Sequence, residues 1–175
     1  ASVTTDSTVS FTSVGGIWLG GQIKVVLPAT HGWSMPSTPV IEFSTPSGMT
    51  ATAVWTNSDN TLLITTTAGD VPEGSVVKLV VKNTVTPPSV MPSGTASIET
   101  FDEASMHAID AGTLTTSATT AGALKDLSWL LSLNTPGVAD TATLTKTVSG
   151  RVGGGACIEI VLPEIASAAH SWSMA

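Results

Sequence analysis

Charge is scarce in this chain. Asp, Glu, Lys and Arg make up only 11% of its 175 residues, far below the quarter usual in globular domains. Basic residues are scarcest: six Lys and Arg stand singly against thirteen Asp and Glu, for a formal net charge of −7. Six scattered cations cannot neutralise a row of phosphates, so nucleic acid is excluded as a partner. Cysteine is nearly absent. The single Cys157 rules out a disulfide framework or a zinc cluster within one chain. In A-C-I-E-I-V-L-P it reads as a small buried residue on a strand, with an intermolecular disulfide or a reactive thiol as the lesser readings. No apolar run nears the roughly 20 residues of a membrane helix, and no basic amphipathic stretch suits a membrane surface. The first residue is Ala1 rather than Met, which raises the expectation that a leader has been removed.

Catalytic motifs are missing too. No G-x-S-x-G, P-loop, H-E-x-x-H or C-x-x-C occurs, and Ser, His and Asp fall at no spacing that assembles a triad. The glycines of R-V-G-G-G-A (151–156) lack the Lys and the strand–turn–helix setting of a phosphate loop and read as a turn or bulge. Asp102 and Glu103, adjacent on an extended chain, point to opposite faces and make a poor acid–base pair. Asn57-Ser58-Asp59-Asn60 holds one carboxylate, too few for a tight calcium site. The reading is a non-enzyme with no cofactor and no metal.

Ser and Thr fill the polar positions, and Thr, Val and Ile favour a pleated surface. The 42% hydrophobic content suffices for a core in one large domain, or in one domain and part of a second. Alternation predicts strands at S-T-V-S-F-T-S-V (from Ser7), Q-I-K-V-V-L-P (22–28), P-V-I-E-F-S (39–44) and V-V-K-L-V-V-K (from Val76). T-A-T-A-V-W-T (50–56) and T-L-L-I-T-T-T (61–67) flank N-S-D-N as a hairpin. Residues 83–94, with three prolines, are expected to be an irregular crossover. Residues 101–107 fit one helical turn, and 108–117 close the region. In 121–133, Leu124, Leu127, Leu130 and Leu131 share a helical face, whereas Leu127, Trp129, Leu131 and Leu133 share a strand face. The strand-rich surroundings favour the strand.

Two segments repeat. Gly20, Ile23, Val26, Leu27 and Pro28 recur as Gly155, Ile158, Val161, Leu162 and Pro163, an offset of 163 − 28 = 135. His31, Trp33, Ser34 and Met35 recur as His170, Trp172, Ser173 and Met174, an offset of 170 − 31 = 139. Upstream, S-T-V-S-F-T-S-V-G-G (7–16) resembles T-A-T-L-T-K-T-V-S-G (141–150). Nine ordered identities make residues 7–35 and 141–174 two copies of one strand–turn–strand–loop unit. Trp33 and Trp172 then read as apolar lids over a sandwich end. A metal site of His31, His107 and His170 lacks carboxylates at ligand spacing.

The second copy stops early, leaving a sheet edge that either packs within the chain or recruits a neighbour's strand. Recruitment that closes no ring makes a filament. These segments, with T-P-V-I-E-F and V-P-E-G-S-V-V-K-L-V-V-K-N, resemble the tandem immunoglobulin-like repeats of extracellular surface and fibril proteins of microbial eukaryotes. The resemblance spans 7–117 and 124–175 and carries over no catalytic residue. It implies an extracellular role and O-linked glycans on Ser/Thr-rich faces. N-glycosylation is not expected, since Asn57, Asn60, Asn83 and Asn134 lack Ser or Thr two residues on.

The expectation is therefore an all-β, immunoglobulin-like β-sandwich (1–120) with an incomplete second repeat (121–175) completed by strand exchange. It would serve as a structural subunit of an extracellular fibril or surface appendage, a homo-polymer assembled head to tail with no membrane insertion. The expected interface residues are Leu127, Trp129, Leu131, Leu133, Leu144, Val148, Ile158, Ile160 and Leu162. The alternative is a monomeric carbohydrate-binding or adhesive module using Trp18, Trp33, Trp55 or Trp172 as stacking platforms.

Overall fold

The computed structural model describes residues 2–102, 107–122, 125–132, 141–148 and 154–161. Its strands are β1 (Thr4–Thr12), β2 (Gln22–Val26), β3 (Ile41–Thr45), β4 (Thr50–Thr56), β5 (Thr61–Ala68), β6 (Val76–Val85), β7 (Thr95–Phe101), β8 (Ala108–Thr115), β9 (Lys125–Leu131) and β10 (Ala142–Thr147). All pairings are antiparallel. One sheet runs β1-β6-β3, a second β4-β5-β2-β7-β8, and β9 pairs with β10 alone.

The first two sheets bury one shared core. Val77, Leu79 and Val81 of β6 and Ile23, Val25, Leu62 and Ile64 of β2 and β5 project from alternate positions into a single cluster. Ile23, Ile64 and Leu79 are each 0% exposed, and burial of such a side chain contributes about 1.5–3 kcal/mol. The two sheets thus form a sandwich-like, all-β body. The strands anticipated around residues 7–14, 22–28, 39–44, 50–56, 61–67 and 76–82 are present. Residues 57–60 turn the β4–β5 hairpin, with Asn60 at φ 51, a left-handed conformation that Asn tolerates.

Several expectations need correction. β6 continues to Val85, so residues 83–85 are strand rather than the start of an irregular crossover. The ladder accommodates this with a bulge: register shifts between Thr5 and Ser7, Asn83 adopts φ 58, and its N–H donates to Asp6 Oδ1 at 3.3 Å. β7 was not anticipated. Thr95–Phe101 pairs with both β2 and β8, and Phe101, placed at the head of a helical turn from sequence, is its last residue. Residues 103–106, including Glu103, lie outside the described residues. Asp102 and His107 close the link by backbone, with Asp102 N–H donating to His107 O at 3.1 Å.

The β1–β2 connection is held at both ends. Ile17, 0% exposed, exchanges backbone hydrogen bonds with Val71 at 2.9 and 2.8 Å. The Thr66 hydroxyl donates to Trp18 O at 2.8 Å. Gly21 is required there, since a Cβ would lie 2.8 Å from Ile17 Cγ2 and 2.9 Å from Trp18 O.

Within 121–133, Lys125–Leu131 is a strand, as the sequence favoured, but in a separate setting: among the described residues β9 and β10 contact each other and no other strand. The second copy of the repeat is therefore only half formed among the described residues. β10 is a strand, as β1 is, whereas 156–161, the equivalent of β2, is not. This corrects the expected strand–turn–strand unit. The buried Cys157 is corrected with it: Cys157 is exposed, because its segment has no sheet to lie in.

Candidate assembly surface

β1 is the outermost strand of its sheet, and β8 the outermost strand of the other. Between them runs a groove of about 590 Å³. One wall is β1 from Thr5 to Ser10, the other is residues 114–119, and the floor reaches Val25, Leu62, Val81 and Ala96 of the core. Sheet size explains the groove. Three strands face five, so β8 overhangs a strand position beside β1 that no strand among the described residues fills.

Backbone bonding shows which part of β1 faces that position. Ser13 N–H donates to Ser75 O at 3.0 Å, and Lys82 N–H donates to Val40 O of the β3 side at 3.0 Å. Along an antiparallel strand, successive residues bond to opposite neighbours. Ser7, Val9, Phe11 and Ser13 therefore bond towards β6, while Thr8, Ser10 and Thr12 offer unused N–H and C=O groups to the groove side. The side chains of Val9 and Phe11 meet the core.

The groove's far end is tied shut by Asp110 of β8. Its carboxylate accepts from the Ser13 hydroxyl at 3.0 Å, Val14 N–H at 3.2 Å, Gly15 N–H at 3.3 Å and the Thr100 hydroxyl at 3.2 Å. Ser13 is 0% exposed, and its hydroxyl proton is shared between that carboxylate and Gly15 O. This carboxylate tie was not foreseen. The signal available was an acidic residue inside the otherwise uncharged A-I-D-A-G-T-L-T. At the other end an ionic ladder crosses the three-stranded sheet: Lys82 Nζ lies 3.0 Å from Asp6 Oδ2 and 2.9 Å from Glu42 Oε2. The Lys82 ammonium and the Asn83 N–H hold Asp6 below the usual carboxylate range, and the Glu42 and Asp6 carboxylates push Lys82 up.

The anticipated interface residues fall on the second half of the chain. Leu127, Trp129 and Leu131 share one face of β9, with Leu127 62% exposed and Leu130 on the opposite face 63% exposed. Leu144 stands opposite Trp129. Val148, Ile158 and Ile160 are exposed at 39%, 55% and 46%. Leu133 and Leu162 lie outside the described residues.

The histidine–tryptophan motif separates. Met35 is buried in the core, and Trp33 is half-buried in the groove wall, its Nε1 without a hydrogen-bond partner among the described residues. His31 Nε2–H donates to Pro92 O at 3.2 Å, leaving Nδ1 to accept from Thr30 Oγ1 at 3.2 Å. His170, Trp172 and Met174 lie outside the described residues. Of the tryptophans considered as stacking platforms, Trp18 is 58% exposed and Trp55 only 6%, so Trp55 cannot serve. Among the described residues no group of His, Cys, Asp and Glu is placed to hold a metal ion, and no helix is long and apolar enough to cross a membrane.

Comparison of the chain with protein-family models, curated proteins and solved structures found no match.

Proposed function

We propose that this protein is a structural subunit of an extracellular fibril or surface appendage, assembled head to tail by β-strand complementation between copies. One observation carries the reading. An apolar groove lies along the unused edge of β1, and the same chain holds an isolated hairpin with large apolar side chains in solvent. An open edge recruits a strand, and a two-stranded hairpin alone in water is marginal. A neighbour resolves both conditions at once. The strand order also supports an immunoglobulin-like sandwich. β4-β5-β2 adjoin in one sheet and β3-β6 in the other, as D-E-B and C-F do in that fold. β1 then stands beside β6 where the last strand of that fold would be. The hydroxyl-rich, weakly charged surface suits an extracellular setting with O-linked glycans.

Electron microscopy and sedimentation of the native protein test the proposal. Filaments with this chain as repeating unit are expected, and removal of residues 124–175 should leave soluble particles that do not assemble. Filaments from that truncation, or single-chain particles at every concentration, would overturn it. The exposed Trp18 favours the second reading, a monomeric adhesive or carbohydrate-binding module, which predicts quenching of tryptophan fluorescence by added glycan.

A further inference from the structure

We propose that the strand filling the groove is β9 of a second copy, paired antiparallel to β1 with Trp129 opposite Val9. This rests on the strand-exchange reading above and adds the donor, the acceptor edge and the register.

The repeat supplies the register. Aligned by sequence, 7–16 and 141–150 stand at an offset of 134. The half-buried positions of the two strands, Val9 and Phe11 in β1 and Leu144 and Lys146 in β10, coincide instead at the offset of 135 set by Ile23/Ile158 and Val26/Val161, so Val9 corresponds to Leu144 (144 − 9 = 135). In β10 it is Thr141 that bonds across to β9, its carbonyl accepting from Ser132 N–H at 3.2 Å. By alternation, Thr143 and Thr145 also bond to β9, and Leu144 points its backbone away. β1 has the opposite arrangement: Val9 bonds to β6, and Thr8 and Ser10, the equivalents of Thr143 and Thr145, are unused. For a strand of given direction, the face a side chain takes fixes the edge its backbone serves. β9 therefore sits on the edge of β10 that β1 leaves empty, and β6 sits on the edge of β1 that β10 leaves empty. One unit holds the neighbour the other lacks. Carrying the β9–β10 pairs Leu131–Ala142, Leu130–Thr143, Trp129–Leu144 and Ser128–Thr145 back by 135 places them opposite Ser7, Thr8, Val9 and Ser10. Trp129 and Leu131 then face the groove floor.

Chain reach favours a second copy as the donor. β8 runs opposite to β1 across the groove: Asp110 lies against Ser13–Gly15, and residues 114–119 lie along Thr5–Ser10. In β10 Lys125 pairs with Thr147, so a β9 docked on β1 begins level with Thr12. That level is about eight extended residues back from Thr119, about 26 Å. The six steps from Thr119 to Lys125 span at most about 20–22 Å. A chain's own β9 could approach that level only with its linker at or near full stretch, and a neighbour's has no such limit. Exchange asks little of the donor, because among the described residues β9 has one ladder and packs against no other strand.

The test uses the full chain with Cys157→Ser. Thr8→Cys is placed on one batch and Leu130→Cys on another, and the two are mixed under assembly conditions and oxidised. Interchain disulfide is expected, at least tenfold above a Thr8→Cys and Ser128→Cys mixture that reports a two-residue slip. Thr8→Pro removes only a donor on the free edge, so it should keep the monomer's circular dichroism and thermal midpoint yet abolish assembly. Filaments that form without the 8–130 disulfide, or that survive Thr8→Pro, overturn this register and leave the fibril reading standing. A disulfide closing within one chain when both cysteines are on it, in dilute monomer, overturns the second copy as donor. No assembly of the wild type at any concentration overturns both.

Discussion

The two copies of the repeat carry the same apolar residues to different ends. Ile23 and Val25 are 0% and 2% exposed, while their equivalents Ile158 and Ile160 are 55% and 46% exposed. Nothing in the segments themselves accounts for this. G-G-Q-I-K-V-V-L-P and G-A-C-I-E-I-V-L-P have the same period and β-branched residues at the same positions. What differs is what flanks them. β2 is bonded on one side by β5 and on the other by β7, and among the described residues the C-terminal copy has neither. Strand propensity is a fit to neighbours rather than a property of the segment. A repeat unit is a strand only where a sheet receives it.

The largest way to break this comparison is to truncate both isoleucines. Ile23→Ala empties a fully enclosed site and should cost about 2–5 kcal/mol. Ile158→Ala should change the monomer's stability by less than about 0.5 kcal/mol. Urea denaturation of the two variants measures both, and equal effects would show that the second copy is as well packed as the first.

The Asp110 tie sharpens the comparison at the strands β1 and β10. β1 is fastened at its end by three hydrogen bonds to one carboxylate, from Ser13, Val14 and Gly15. Asp110→Ala leaves the buried Ser13 hydroxyl without that acceptor and should cost about 1–3 kcal/mol. Hydrogen exchange should then rise first at Ser13, Val14 and Gly15. Exchange that rises evenly over the molecule would mean that the tie is no local fastening.

Much of the sandwich was legible because its inward residues are apolar. Ile23 and Val25, Leu62 and Ile64, and Val77, Leu79 and Val81 alternate without interruption. β7 escaped because its inward set is Ala96, Ile98 and Thr100, a small residue, one large one and a hydroxyl. Thr100 is buried because Asp110 accepts from it, a partner ten residues away that no local period announces. The groove was illegible for a related reason. It exists because β1 joins β6 rather than β2, and the choice of sheet is made by long-range pairing. The apolar face of Leu127, Trp129 and Leu131 could be read in the sequence, but not the edge it matches.

A smaller effect is expected at Trp129. Among the described residues β9 touches β10 and no other strand, so Trp129→Ala should leave the sandwich's unfolding free energy in urea within about 0.5 kcal/mol of the parent while weakening assembly. A large loss of monomer stability would mean that the hairpin belongs to the sandwich core.

The smallest effect concerns the ladder that holds β1 from the solvent side. Asp6 is pulled below its ordinary range by Lys82, so its contribution is present above the unfolded aspartate value, about pH 4, and is lost as pH falls through the lower folded value. Lys82 is raised, so its contribution is present below about pH 10 and is lost as pH rises through the higher folded value. Between these limits the thermal midpoint gap between wild type and Asp6→Asn should be flat. It should narrow below about pH 4 as the native Asp6 protonates, and it should shrink in 1 M salt, where screening acts within about 3 Å. At the offset of 135 Asp6 corresponds to Thr141, so the second copy has no carboxylate at the matching position. A gap that widens on acidification would place the stabilising partner of β1 elsewhere than in the Asp6–Lys82–Glu42 ladder.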